Sequence, residues 1–170
     1  MKYTSAEANK LLRKLTEEKY YLLTMEEKSS TFQAALGEDP ESVRPEYDYR
    51  AVRAAVDELN RKIRTVKHAV SRFNLEHMVP GFDMTVDQML VYIPQLTAKK
   101  EKLSEMKDRL PKQRDMKSTY GRAATIIDYI YTNYDIKEAR ADFDAVSDEL
   151  SRAQTALDVL NNTETMEIDI

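Results

Sequence analysis

The stretch IKEARADFDAVSDELSRAQTALDVL, residues 136–160, places apolar side chains at Ile136, Ala139, Phe143, Val146, Leu150, Ala153, Leu157 and Leu160, in strictly alternating steps of three and four. That spacing averages 3.5 residues, which keeps a narrow stripe turned towards one partner helix and specifies knobs-into-holes packing. A second run has the same property. Val52, Val56, Leu59, Ile63, Val66, Val70 and Phe73 are spaced 4-3-4-3-4-3 without interruption. Two such seams in one chain make helix-on-helix packing the basis of the fold.

The remaining helices follow from caps and stops. Thr4 with Glu7 has the form of a capping box, and a first helix is expected from there to about Leu36, stopped by Gly37. Its stripe runs through Ala8, Leu11, Leu15, Leu22, Met25, Phe32 and Leu36, weakened by Glu18 and Ser29 in the same register. Residues 38–45 contain two prolines and read as a connector. The second helix is expected from about Asp48 to Asn74. Thr85 with Gln88 opens a third, whose stripe of Met89, Ile93, Leu96, Leu103 and Leu110 is broken by Lys100 and Lys107 and which Pro94 should kink. Asp135 with Glu138 opens the fourth, and Asn161-Asn162 close it.

Residues 125–134 differ, being dense in Ile and Tyr, and read as a β arm; residues 164–170 alternate with period two. These two segments are expected to pair. The expected fold class is therefore mainly α, an antiparallel bundle of long coiled-coil-like helices with a small β arm, in one domain spanning 1–170. Rods of this length bury one stripe each within the chain. Tyr20, Tyr21 and Leu23 lie off the first helix's stripe, and burying them calls for a second copy, most simply a two-fold dimer.

Composition excludes several classes of function. A chain of 170 residues with a formal charge of −4 has no general basis for polyanion binding. With no cysteine it has no disulfide or thiolate chemistry, and no window approaches the roughly 18 apolar residues of a membrane span. The expected location is the cytoplasm. His68 and His77 have no third ligand at metal-binding spacing, and Gly37, Gly81 and Gly121 are too far apart for a phosphate loop. No metal, cofactor or enzymatic activity is expected. A non-enzymatic oligomer acting through self-association and protein contacts is the leading reading. The alternative is a module that holds an anionic metabolite or nucleotide at an oligomer interface, using Lys100, Lys107, Arg114, Tyr120 and Arg122, with Arg72 and Asn74 at the same end of the bundle.

The connector Gly37-Glu38-Asp39-Pro40, the helix end Arg72-Phe73-Asn74, Thr85 with Asp87, and Tyr134-Asp135-Ile136 together resemble a family of small uncharacterised bacterial proteins often labelled septicolysin. The resemblance runs over most of the chain. It implies a helical, cytosolic, bacterial or phage-borne protein that self-associates, and it carries no established catalytic residues. The cytolysin suggested by the label finds neither a signal peptide nor an insertion segment in the sequence.

Overall fold

Thr4 begins the first helix as read: its hydroxyl accepts from the Glu7 amide at 3.2 Å, and the Glu7 carboxylate accepts from the Thr4 amide at 2.9 Å. In the computed structural model, which describes residues 1–115 and 128–170, the order of elements is β1 (Lys2–Thr4), α1 (Ser5–Ser29), α2 (Pro40–Val43), α3 (Tyr49–Glu76), α4 (Val86–Lys107), β2 (Lys112–Arg114), β3 (Tyr129–Tyr131), α5 (Ile136–Thr163) and β4 (Thr165–Glu167). The fold is mainly α with short antiparallel strand pairs. The chain divides into two compact units, Met1–His77 with Val159–Ile170, and Met78–Asp158.

In the first unit α1 and α3 form an antiparallel hairpin, closed at one end by the Tyr47 hydroxyl donating to Glu26 at 3.0 Å. The predicted stripes supply its buried residues: Ala8 and Leu15 from α1, and Val56, Leu59, Val66 and Phe73 from α3. β1 pairs with β4 in the register Lys2↔Glu167, Tyr3↔Met166, Thr4↔Thr165, and Met166 and Ile168 are buried.

In the second unit Thr85 and Gln88 form the expected capping box at the start of α4. α4 packs antiparallel to α5: Tyr92 reaches Glu149, Lys107 lies over Phe143, and Tyr134 donates to the Met106 carbonyl at 2.8 Å. The α5 seam is buried in this unit at Ala139, Val146, Leu150, Ala153 and Leu157. Asp135 caps α5 through the Lys137 amide at 2.7 Å.

The structure corrects several expectations. The segments at 125–134 and 164–170 do not pair with each other. β3 pairs with β2, in the register Lys112↔Tyr131 and Arg114↔Tyr129, because a nearby strand closes a shorter loop than a distant one. β4 pairs with β1, which has only three residues and no pattern to reveal it. α1 ends at Ser29, not Leu36, where Ser29, Ser30 and Thr31 offer poor helix propensity and Leu36 is fully exposed. α4 stops at Lys107, short of Leu110, because a residue before proline is pushed out of the helical region and Pro111 follows. The connector contains one helical turn, α2, capped by the Asp39 carboxylate on the Glu41 amide at 3.1 Å. Gly37, at φ +88°, turns the connector ahead of that cap and does not stop α1. Pro94 sits within a continuous α4; the carbonyl it leaves without its helical donor belongs to Leu90, itself 48% exposed. Residues 125–127 of the expected arm lie outside the described residues.

Candidate functional site

Each unit contains a concave region lined by polar side chains. In the first unit, a groove of about 470 Å³ runs between the C-terminal half of α3 and the β4 segment. The helical wall presents Thr65, His68, Ala69, Arg72, Glu76 and His77, spaced so that successive turns of α3 face the same way. His77 ends this wall. Its ring stacks on Phe73 with centroids 3.9 Å apart, and its Nδ1 lies 3.0 Å from the Phe73 carbonyl oxygen. Arg72 faces Glu76 at 3.7 Å.

The opposite wall is the strand itself. The Met1 amino group donates to the Ile168 carbonyl at 3.1 Å, and the Ile168 amide donates to the Met1 carbonyl at 2.9 Å. These two residues are therefore a hydrogen-bonded pair, and antiparallel alternation makes Tyr3 and Met166 the next one. The backbone groups of Thr165 and Glu167 then point away from β1, along the free edge of the strand. Both residues line the groove, as does Asp169.

In the second unit, the two lysines that interrupt the α4 seam converge on one ring. The Lys100 and Lys107 ammonium groups lie 5.8 and 4.7 Å from the Phe143 ring centroid. Their stems cover apolar surface while the charge sits on the aromatic face, so a lysine occupies a seam position without being stranded in a dry core. A hollow of about 380 Å³ beside them is lined by Thr97, Glu101, Ser104 and Gln154. One turn towards the start of α4, the Tyr92 hydroxyl donates to the Glu149 carboxylate at 2.6 Å. That charge-assisted bond, with partial burial, raises the phenol's pKa above its ordinary value.

The seven residues singled out for an anion site are thus distributed. Lys100 and Lys107 share Phe143; Arg114 is exposed on the β2–β3 ribbon; Arg72 lines the groove of the first unit; and Asn74 is half-buried on the same helix. Tyr120 and Arg122 lie outside the described residues. The open edge of β4 is the feature that sequence reasoning misses. The alternation of Met166, Ile168 and Ile170 identifies a strand, but nothing in Lys2-Tyr3-Thr4 announces its partner, so which edge stays open is not legible. Among the described residues no cluster of three or more His, Asp or Glu side chains could hold a metal ion, and no helix is long and apolar enough to cross a membrane.

No family model and no curated protein matches this chain. It is similar to the crystal structure of a functionally unknown conserved protein from Corynebacterium diphtheriae, with a TM-score of 0.62 and 17% identity over 98% of this chain and 100% of that one. The likeness is one of fold.

Proposed function

We propose that this chain is a non-enzymatic protein that works by associating with a second copy of itself, and through that assembly with other proteins. The observation that supports the reading is the concentration of exposed large apolar side chains where α1 ends and α3 begins. Tyr20 is 73% exposed, Tyr21 63% and Tyr49 61%, and Leu23, Met25 and Phe32 also reach solvent. Single exposed apolar residues are ordinary, but a concentration of them marks a surface that meets another protein.

The connector adds to this. Residues 30–48 are mostly exposed, yet Arg44 holds Glu41 through bonds of 2.6 and 2.8 Å and lies 5.0 Å from the Phe32 ring. A long connector with its own internal bonds is shaped for contact. A two-fold assembly closes through one self-complementary surface. The reading extends to a bacterial cytoplasm, in keeping with the cysteine-free composition, and to kinship with the proteins labelled septicolysin.

Light scattering at micromolar concentration tests it. The chain should have the mass of a dimer, and Tyr20→Glu with Tyr21→Glu should give a monomer of unchanged helicity, since both side chains are exposed. A monomeric parent protein would refute the proposal.

A further inference from the structure

The geometry points to a binding site for a small monocarboxylate with a short apolar body, in the cavity between the α4–β2 turn and the β3–α5 turn, with Arg109 as its anion-binding residue.

The two turns are tied together by their own hydrogen bonds. The Thr132 amide donates to the Pro111 carbonyl at 3.1 Å, the Thr132 hydroxyl to the Leu110 carbonyl at 2.8 Å, and the Tyr134 hydroxyl to the Met106 carbonyl at 2.8 Å. These bonds hold residues 109–113 against residues 130–134 around a cavity of about 270 Å³. Walls fixed in this way need little ordering when a ligand enters, which favours binding. The volume falls just under the roughly 300 to 1,000 Å³ of sites for drug-sized ligands, so the occupant is small.

Its chemistry follows from what lines the cavity and has no partner. Arg109, Gln113 and Asn133 all line it, and the side chains of all three are without a hydrogen bond or ion pair among the described residues. Arg109 is the one ionised group among the described lining residues. Asp108, its neighbour in sequence, lies 3.1 Å from the Lys107 ammonium. Asp115 and Asp128 extend the β2–β3 ladder on the face that Gln113 and Ile130 share, but neither lines the cavity and each already has a partner. The apolar part of the lining is Leu110 and Ile130, 62% and 49% exposed, surface that a guest would remove from water.

These features select among guests by charge. A neutral apolar molecule would cover the guanidinium without giving it a counter-charge, and a dianion would bring one charge more than the lining can match. A carboxylate takes the guanidinium fork through two parallel bonds, and the amides of Gln113 and Asn133 can donate to oxygens left over. The site is independent of self-association: it stands or falls without reference to the Tyr20 and Tyr21 surface.

The probe is hydrocinnamate, titrated into the full chain and followed by heteronuclear NMR. Saturable shifts are expected at the side-chain amide signals of Gln113 and Asn133, with a dissociation constant on the order of millimolar or tighter. Hydrocinnamamide, which lacks the charge, and acetate, which lacks the apolar body, should each bind about tenfold more weakly. Arg109→Gln should weaken hydrocinnamate by at least about tenfold with unchanged circular dichroism, since the side chain is exposed and in no ion pair. Ile130→Ser should weaken hydrocinnamate and leave acetate unchanged. Equal binding by the Arg109→Gln protein, or no saturable shift at those two amides, would overturn the site. Tighter binding of phenyl phosphate than of hydrocinnamate would overturn the choice of a monocarboxylate.

Discussion

Lys107 stands where the α4 stripe calls for an apolar side chain, and its side chain keeps only 22% of its surface exposed. Its ammonium lies 3.1 Å from the Asp108 carboxylate and 4.7 Å from the Phe143 ring centroid, and lysine and ring are expected to be energetically coupled. A double-mutant cycle with Lys107→Met and Phe143→Leu, followed by urea denaturation, should give a coupling of about 0.5 to 1 kcal/mol. Additive effects would mean that the lysine stem and the Asp108 ion pair explain the position without the ring. Tyr92 carries a pH-dependent contribution. Its phenol is raised by the Glu149 bond, so the native state holds this proton to higher pH than the unfolded chain does. The stabilisation is complete below the unfolded value of about 10 and is lost as pH rises through the higher native value. Tyr92→Phe should cost about 1 kcal/mol at neutral pH, discounted for partial solvent screening, and the difference from the parent should vanish in strongly alkaline buffer. A difference independent of pH would place the effect in packing.

At the level of elements, periodicity predicts burial only where a partner exists. Leu59 and Leu157 lie on uninterrupted seams and are 5% and 7% exposed, whereas Leu36 continues the α1 register on paper and is fully exposed. Leu59→Ala and Leu157→Ala should each cost about 2 to 5 kcal/mol, and Leu36→Ala less than about 0.5, by chemical denaturation. Equal costs would mean that the connector packs. α3 and α5 were legible because local propensity and stripe agree along their whole length. The end of α1 was not, because an apolar step continues after serines have weakened the helix. The stop of α4 was legible in principle from Pro111, but the leucine before it completed a stripe that the backbone cannot follow.

For the whole molecule, the mainly α architecture could be read from two seams and three capping signals, while the pairing of the strands could not. Pairing depends on which ends meet after the helices have packed, and a three-residue strand leaves no trace of it. The anion site foreseen from Lys100 to Arg122 rested on charge and aromatic content, which say nothing of direction; Lys100 and Lys107 turn to Phe143. If the chain assembles as proposed, its stability depends on its own concentration. The thermal midpoint of the parent should rise across a hundredfold concentration range, while that of the variant with glutamate at positions 20 and 21 should not. Identical behaviour would remove self-association from the stability of this fold.

The β1–β4 ladder joins residues that are 167 positions apart at its outer bond. Contacts so remote in sequence gain little until the chain between them has already been drawn in, so this ladder should form late in folding and open early in unfolding. It is a latch in time as well as in space. Amide exchange at Ile168 should be faster than at Val66 in the middle of α3, by the margin that separates local opening from global unfolding.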